Sequence, residues 1–418
     1  MRSYQQALKI ILEGAAPAAA QIVSLDRARG QVAAAAIDAR EDVPPFDNSA
    51  MDGFAVKSAL VEQAAADRPV LLDVDGSTMA GDSPEAGGEG AWEIMTGAPV
   101  PAAYDAVIRI EDIKILDQNR HGRPTRISLH AAGFPGKNIR AAGTDFRPGD
   151  RVIEAGTVIA PHHIMALAAV GQDRISVTPP PAVAVISTGK ELVDEMDRTL
   201  APGQIRNCNA PYLMESLKTL GVPARNEGTI FDEPEKFEQK IRQILSTEAR
   251  IILSSGAVSM GRHDFVPDGL RKTGAEILFH KAAIRPGKPI LFARFPNGAY
   301  YFGLPGNPIA AAVGLRFFAC PLMGKLQGLA PEQPLSARLS ADFAKESPFR
   351  FFLKARSYQD RDGRRAVDIL PGQESFKIKP MLAQNCWAVI PEDGMAMAAG
   401  SPVDIYPLYP GGGAGELL

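Results

Sequence analysis

Cysteine is scarce in this sequence, and its scarcity excludes two classes of protein. The three cysteines, Cys208, Cys320 and Cys386, lie far apart, and none belongs to a C-x-x-C pair. Disulfide frameworks need several paired cysteines and zinc knuckles need closely spaced ligands, so neither can be built here. This cysteine usage favours a reducing compartment, and we expect a cytoplasmic protein.

An excess of one charge and a long apolar run are also lacking. Lys and Arg total 45 and Asp and Glu total 48, a formal net charge of −3. Proteins that bind nucleic-acid phosphates carry a basic excess, so we expect no nucleic-acid partner. The apolar run LKIIL ends at Glu13, and no uncharged apolar stretch approaches the roughly 18 residues of a membrane span. We therefore expect neither a signal peptide nor a membrane partner.

The chain does have the length and apolar content for several cores. Its 418 residues, 45% of them hydrophobic, predict about three domains of roughly 150 residues each. A helix is expected at the N-terminus, where Tyr4, Leu8 and Ile11 recur at helical spacing behind a Ser3–Gln6 capping box. From residue 41 to 139, short β-branched runs between Pro and Gly turns predict a small β-rich module.

From residue 181 the pattern changes to strands that alternate with helices. The expected elements are the strand AVAVIS, a helix with Leu213 and Leu217 that Asn209 caps, a strand near 222–230, a helix from Pro234, the strand RIILSS, a helix near 265–272, strands near 276–279 and 289–295, the strand YYFG, and a long apolar helix from Pro308. This alternation predicts an α/β domain with a doubly wound parallel sheet. After Pro331, short alternating segments predict a small all-β domain, and residues 411–418 read as a flexible tail.

Four polar, glycine-bearing loops follow strands of this predicted sheet. Because parallel strands end at one edge of a sheet, we expect the loops to meet there, where backbone amides and helix N-termini suit a phosphate. Their residues are Ser187, Thr188, Gly189 and Glu191; Asp232; Gly256, Ser259, Gly261 and Asp264; and Pro305, Gly306, Asn307 and Pro308.

Three carboxylates lie in these loops, and carboxylates are not expected next to a bound phosphate. Glu191, Asp232 and Asp264 would repel the anion unless a hard cation such as Mg²⁺ bridged the two, so they are the candidate metal ligands. Any single loop is equally consistent with helix capping by Ser, Thr or Asp, and only the four together favour a site.

A cationic cluster follows in the segment KAAIRPGKP. Lys281, Arg285 and Lys288 lie close together in the sequence, and such a group can hold an oxyanion. Taken alone, the segment is equally consistent with a solvated surface turn.

Seven motifs together resemble one known family. They are PPFDNSAMDGFAV from Pro44, IMTGAPVP from Ile94, AGTDFRPGD from Ala142, STGKEL from Ser187, SSGAVSMGRHD from Ser254, RPGKP from Arg285 and GLPGNP from Gly303. In this order they are similar to those of the molybdopterin molybdenumtransferase family, the MoeA-type enzymes and their gephyrin-type relatives. The resemblance implies insertion of molybdate into adenylylated molybdopterin, with Mg²⁺, release of AMP and formation of the molybdenum cofactor.

The resemblance also implies an architecture and an assembly. It divides the chain into a discontinuous linking domain (1–40 and 140–180), an inserted β-rich domain (41–139), an α/β molybdopterin-binding domain (181–328) and a C-terminal β-barrel (329–410). Family members are homodimers whose sites join the two subunits. The adenylyltransferase that makes the substrate and downstream molybdoenzyme maturation factors are further expected partners.

By motif match, the resemblance assigns residues to the site. Asp52, Thr96 and Asp145 would come from the first half, and Glu191, Asp232 and Asp264 from the α/β domain. Lys281, Arg285, Lys288, Pro305 and Pro308 would shape the pterin-phosphate and molybdate pocket, and Ser375 would come from the barrel.

Three positions depart from the family pattern. Ala257 stands where a second glycine is usual, and Arg285 stands where lysine is common. Lys354 stands where arginine is usual, so an anion contact could instead pass to Arg350 or Arg356.

Two other functions are compatible with the sequence. The same fold could carry out the preceding step, the adenylylation of molybdopterin by ATP, although that reaction is expected of the α/β unit alone. The chain could also be a scaffold that binds partner peptides, although it has no long linker or appended interaction domain.

Overall fold

The structure, a computed structural model, describes residues 1–83, 85–231, 233–256 and 265–411. Its α-helices are α1 (Tyr4–Leu12), α2 (Ser58–Val61), α3 (Pro161–Ala169), α4 (Asn209–Thr219), α5 (Pro234–Leu245), α6 (Val266–Lys272), α7 (Pro308–Gly314) and α8 (Cys320–Leu326). A π-helical turn, Leu315–Ala319, joins α7 to α8. Short 3-10 turns span Leu25–Arg27, Ile110–Asp112 and Lys379–Leu382.

The strands fall into three successive groups along the chain. The first group is β1 (Gln21–Ser24), β2 (Val32–Ala33), β3 (Ile37–Asp38), β4 (Asn48–Ser49), β5 (Gly53–Val56), β6 (Val70–Thr78), β7 (Ala91–Ile94), β8 (Ala106–Arg109), β9 (Ile113–Gln118), β10 (Pro124–Leu129), β11 (Ile139–Arg140), β12 (Arg151–Ile153) and β13 (Arg174–Thr178). The second is β14 (Val183–Thr188), β15 (Leu192–Val193), β16 (Ile205–Arg206), β17 (Ala224–Ile230), β18 (Ile251–Ser255), β19 (Glu276–His280), β20 (Ile284–Arg285), β21 (Leu291–Arg294) and β22 (Tyr300–Leu304). The third is β23 (Leu335–Leu339), β24 (Phe343–Ala344), β25 (Arg350–Gln359), β26 (Arg365–Ile369), β27 (Cys386–Ile390), β28 (Ala396–Met397) and β29 (Pro402–Pro407).

The N-terminal helix α1 begins as its sequence predicts. Ser3 and Gln6 form the capping box in both directions. Ala7 and Ile11 are fully buried in a core shared with the long helix that contains α7 and α8. The Tyr4 hydroxyl donates to the carbonyl of Phe317 at 3.2 Å. Helix α1 therefore packs against the α/β unit and the barrel.

Two separate segments fold together around the inserted module. Strands β1, β13 and β2 form one small sheet, β3 pairs with β12, and α3 covers them. Between these segments, β8, β5, β7, β6, β10 and β9 form the sheet of the β-rich module. Strands β5 and β7 run antiparallel with Gly53 opposite Ile94, so the residue before β5 lies beside the residues after β7.

The central sheet has the order β17-β14-β18-β22-β21-β19. Strands β17, β14, β18 and β22 are parallel, as the sequence predicts. Strands β21 and β19 add antiparallel at one edge, because Leu291–Arg294 turns back tightly into Tyr300–Leu304 without a crossover helix. Helices α4 and α7 pack on one face and α5 and α6 on the other, so the sheet is doubly wound.

The long helix Pro308–Leu326 has the length and hydropathy of a membrane span. Its apolar window has a mean hydropathy of 1.5, but 83% of that window is buried inside the protein. A helix that is apolar all round is what a core position between a sheet and a barrel requires. The described residues contain no second helix of this kind.

The C-terminal domain is a closed β-barrel. Strands β25, β26, β23, β29 and β27 pair in that order, and β27 pairs again with β25 to close the ring. Strand β20 adds in parallel to β25, with Ile284 opposite Arg350. This pairing places the loop after Arg285 against the barrel.

Candidate functional site

A cleft of about 380 Å³ opens at the carboxyl edge of the central sheet. The loops after β14, β18 and β22 form it, as expected where parallel strands end together. Its lining residues are Thr188, Glu191, Leu192, Ile205, Asn209, Ser255, Gly256, Pro289, Pro305, Gly306 and Asn307.

The ends of β14 and β18 approach each other closely beneath this cleft. The hydroxyls of Ser187 and Ser255 lie 3.3 Å apart, and the Thr188 hydroxyl donates to the Ser255 carbonyl at 3.3 Å. Gly256 follows with φ of +96°, and a Cβ there would collide with the Thr188 carbonyl oxygen. Only glycine satisfies both conditions, so the sequence GAV begins with the residue that the site geometry requires.

Glu191 stands on the loop that follows β14. Gly189 has φ of +148°, and a Cβ at this glycine would lie 2.7 Å from a Glu191 carboxylate oxygen. The exposed carboxylate therefore folds over its own loop at the mouth of the cleft. Carboxylate oxygens are preferred ligands of Mg²⁺, and Glu191 fits one position of such a site.

A buried asparagine connects the elements around Glu191. The Asn207 amide nitrogen lies 3.0 Å from the Ser187 hydroxyl, 2.8 Å from an Asp194 carboxylate oxygen and 3.3 Å from the Thr229 hydroxyl. Its side-chain oxygen accepts from the Ala210 amide at 3.2 Å. Asn207 is only 2% exposed, so these bonds hold the ends of β14 and β17 to the start of α4 in a dry environment.

The prediction that Asn209 caps α4 is wrong. Cys208 occupies the N-cap position, Asn209 is the first residue of the helix, and the side chain that reaches the first-turn amides is that of Asn207. Asn209 instead donates from its side chain to the Gly306 carbonyl at 2.8 Å. Two asparagines, Asn207 and Asn209, stand at the start of this amphipathic helix. The sequence alone does not tell which of them bonds to the first-turn amides and which bonds to another loop.

The barrel reaches the cleft through Ser375. The Asn307 side-chain amide donates to the Ser375 hydroxyl at 2.9 Å, and the Ile309 backbone amide donates to the Ser375 carbonyl at 3.0 Å. Pro308 begins α7 directly after Asn307. The structure therefore brings together the loop at 305–308 and Ser375, which lie far apart in the sequence.

The cationic cluster lies beside the cleft rather than in its lining. Arg285 faces Glu346 at 3.6 Å and lies 5.5 Å from the centre of the Phe351 ring. It lines a neighbouring cleft of about 280 Å³ between the α/β domain and the barrel. Lys288 lies 5.6 Å from the centre of the Phe349 ring. Lys281 lies at the start of this turn. Its backbone has a φ of +85°, and its carbonyl accepts a hydrogen bond from the Arg2 amide.

Two of the three barrel candidates for an anion contact make internal contacts, and the third, Arg356, is exposed on β25. Arg350 donates twice to a Glu392 carboxylate oxygen, at 3.1 and 3.0 Å, and lies over the Tyr4 ring. Lys354 is 0% exposed, and its ammonium donates to two backbone carbonyls, those of Glu374 and Lys377. Burial lowers the pKa of Lys354. These contacts direct neither side chain to the solvent.

Asp52 and Thr96 form a pair in the β-rich module. The Asp52 carboxylate accepts from the Thr96 backbone amide at 2.7 Å and from its hydroxyl at 2.8 Å. These two bonds lower the pKa of Asp52. Asp145 is exposed, and its amide donates to the Val43 carbonyl at 2.9 Å. The first half thus presents the carboxylates of Asp52 and Asp145 on its surface.

Four predicted site residues, Asp232, Ser259, Gly261 and Asp264, lie outside the described residues, as does Ala257. Of the three predicted metal ligands, Glu191 is therefore the one whose position is described. Within the described ranges no three His, Cys, Asp or Glu side chains converge as a metal site. Leu192, Ile205 and Pro289 line the cleft although sequence reasoning did not single them out, because apolar wall residues carry no chemical signature.

Comparison with known proteins accounts for nearly the whole chain. Three family models match: the MoeA N-terminal region (domain I and II) at residues 2–171, a probable molybdopterin binding domain at 184–325, and the MoeA C-terminal region (domain IV) at 336–408. A molybdopterin molybdenumtransferase of Synechococcus elongatus is 37% identical over 412 residues, which cover 97% of this chain and 99% of the relative. The chain belongs to the MoeA family of molybdopterin molybdenumtransferases.

Other members of the MoeA family match over a similar length. A molybdopterin molybdenumtransferase of Staphylococcus aureus strain Mu50 is 31% identical over 96% of this chain and 94% of the relative. A crystal structure of the MoeA molybdopterin biosynthesis protein from Pyrococcus horikoshii superposes with a TM-score of 0.81, at 28% identity, over 97% of this chain and 98% of that one. The MoeA fold, with a doubly wound sheet and a C-terminal barrel, confirms the fold class expected from the sequence.

Proposed function

We propose that this protein inserts molybdenum from molybdate into adenylylated molybdopterin and releases AMP, so forming the molybdenum cofactor. The family identifies a transferase that acts on molybdopterin. The observation that supports the proposal most strongly is the cleft where Thr188, Gly256 and the loop at 305–308 meet beside the carboxylate of Glu191. Glycine-bearing strand ends of this kind suit the phosphates of an adenylylated pterin.

The chain's own residues divide the task. The loops at 187–191 and 255–256 would bind the phosphates through backbone amides and the Thr188 hydroxyl. Arg285 and Lys288, beside the cleft, would supply positive charge for the molybdate dianion in a chain whose net charge is −3. Lys281, at the start of the same turn, would add to the positive electrostatic potential beside the cleft.

Mg²⁺ belongs to the proposal as the cation that Glu191, Asp232 and Asp264 would hold. When bound, it would neutralise phosphate charge and make AMP a better leaving group. Glu191 has the oxygen donor and the position at the cleft mouth that this role needs. The chain's own contribution would be to supply these carboxylate oxygens beside the phosphates.

The assembly is part of the same proposal. Asp52 and Thr96 lie in the β-rich module and would complete the cleft of a second copy in a homodimer, with Asp145 beside them. The cytoplasm is the proposed compartment. The adenylyltransferase that supplies the substrate and the factors that load molybdoenzymes are the proposed partners.

The experiment that tests this function separates it from the preceding reaction. The purified protein is incubated with Mg²⁺ and either adenylylated molybdopterin plus molybdate, or molybdopterin plus ATP. We expect AMP release in the first mixture, dependent on both molybdate and Mg²⁺, and no adenylyl transfer in the second. Adenylyl transfer from ATP would favour an adenylyltransferase, and inactivity in both mixtures would favour a scaffold.

A further inference from the structure

A set of polar contacts in the barrel surrounds one buried lysine, Lys354. Lys354 lies within β25 opposite Trp387 and is 0% exposed. Its ammonium donates to the Glu374 carbonyl at 3.3 Å and to the Lys377 carbonyl at 3.1 Å. A buried ammonium is costly to desolvate, and the two hydrogen bonds to these carbonyls offset part of that cost.

The main chain of Lys354 holds the same loop at a second point. Its amide donates to the Gln373 side-chain oxygen at 3.0 Å, and the Gln373 side-chain amide donates back to the Lys354 carbonyl at 2.8 Å. The Gln373 amide also donates to the Leu370 carbonyl at 2.6 Å. The loop of residues 373–377 is therefore fixed to β25 at its beginning and its end.

This 373–377 loop carries the residue through which the barrel contacts the cleft. Ser375 accepts from the Asn307 side chain and from the Ile309 backbone amide. Ile309 is in the first turn of α7, where backbone amides have no partner within the helix. The Ser375 carbonyl supplies that missing partner, so the position of the 373–377 loop bears on the start of α7 and on the cleft-lining Asn307.

We propose that Lys354 is a positioning residue: its buried ammonium holds the 373–377 loop so that Ser375 fixes the 305–308 loop at the rim of the cleft. Lys354 then acts on the reaction through Ser375 and does not contact molybdate. The geometric role stands on the contacts alone, and its consequence for catalysis rests on the proposed function.

The direct test is hydrogen exchange at the Ile309 amide in the full-length protein. Lys354→Met keeps the approximate length of the side chain but removes the ammonium that donates both hydrogen bonds. We expect at least a tenfold faster exchange at Ile309 in this variant, because the bond to Ser375 opens more often. Lys345→Met is the matched control, since Lys345 is also buried in the barrel and donates to the carbonyls of Phe349, Pro391 and Glu392. It should leave exchange at Ile309 unchanged.

Activity measurements then distinguish positioning from direct contact. Ser375→Ala removes the hydroxyl that accepts from Asn307 but keeps the carbonyl that accepts from the Ile309 amide. If Lys354 acts through Ser375, Lys354→Met should therefore lower kcat at least as much as Ser375→Ala, and the double variant should be no worse than Lys354→Met alone. A raised half-saturating molybdate concentration with unchanged exchange at Ile309 would instead make Lys354 a direct ligand and overturn the proposal. Unchanged exchange and unchanged kinetics would also overturn it.

The test still gives an answer if the variant does not fold or if the wild-type protein is inactive. If Lys354→Met does not fold, Gln373→Ala removes the other attachment of the loop and should accelerate exchange at Ile309 by a smaller factor. If the wild-type protein transfers no molybdenum, the proposed function fails, whereas exchange at Ile309 still decides whether Lys354 positions the loop.

Discussion

At the scale of single residues, the Asp52–Thr96 pair has a measurable consequence. Two hydrogen bonds from Thr96 lower the pKa of Asp52, so the bonds favour the ionised form. A carboxylate whose folded-state pKa is depressed contributes stability at pH values above its unfolded pKa, and this contribution is lost as the pH falls through the folded value. Asp52 is fully exposed, so we expect the effect on its titration to be clearer than the effect on stability.

Thr96→Val tests this pair because it removes the hydroxyl and keeps the side-chain shape. We expect the pKa of Asp52 to rise toward the ordinary aspartate value, while the backbone bond from residue 96 retains part of the shift. The measurement is a carboxyl ¹³C titration by NMR, with Asp145 as the exposed reference. A pKa of Asp52 that is unaffected by the substitution would mean that the hydroxyl contact is absent in solution.

Gly256 is a second residue whose substitution should have a large and measurable effect on stability. Gly256→Ala combines an unfavourable positive φ with a collision against Thr188, and we expect a loss of about 2–4 kcal/mol in the free energy of unfolding, together with lost activity. Gly228→Ala is the matched control, since its φ is +86° and nothing lies within 4 Å of an added Cβ. It should lose about 1 kcal/mol. Equal losses of unfolding free energy in urea denaturation would show that the contact between the added Cβ and the Thr188 carbonyl costs nothing.

At the scale of elements, Asn207 joins β14, β17 and α4. Asn207→Leu leaves the buried Ser187 hydroxyl and the Asp194 carboxylate without this donor, and we expect a loss of about 3 kcal/mol in unfolding free energy. Asn226→Ala is the control, because its exposed side chain serves one turn amide, that of Gly228, and should cost less than about 1 kcal/mol. Urea denaturation of the two variants measures the difference. Similar losses would show that the buried Asn207 contacts stabilise the fold no more than an exposed turn bond does.

Some helices and strands can be predicted from the sequence, and others cannot. Helical periodicity predicts α1, α4 and α5 closely, because it is a local signal, whereas capping predicts the start of α1 but not that of α4. The antiparallel β21–β22 pair was missed, although Asn297-Gly298 between two apolar runs is a strong hairpin signal, because the expected alternation of strands and helices was extended past β18. The burial of Lys354 was missed for a related reason. A charged residue in an alternating strand reads as exposed unless the closure of the barrel is known.

At the scale of the whole molecule, the proposed site crosses a subunit boundary. If Asp52 of one copy completes the cleft that contains Glu191 of another, mixing Asp52→Ala protein with Glu191→Ala protein should restore part of the activity, because half the sites of a heterodimer are intact. Statistical exchange predicts up to about one quarter of the wild-type rate per subunit. Subunit exchange is monitored independently by mass spectrometry. Absence of recovery despite complete exchange would place Asp52 and Glu191 in the same subunit's site, or Asp52 outside it.

If the cleft beside Glu191 carries out molybdenum insertion, release of AMP must depend on molybdate and on the Glu191 carboxylate. The rate is measured with adenylylated molybdopterin and Mg²⁺ for the wild type, for Glu191→Ala, and for Glu215→Ala, an exposed glutamate on α4. We predict that the wild type and Glu215→Ala release AMP only when molybdate is present, and that Glu191→Ala is slower by about a hundredfold or more. Equal rates for Glu191→Ala and the wild type would show that the reaction takes place elsewhere on the protein.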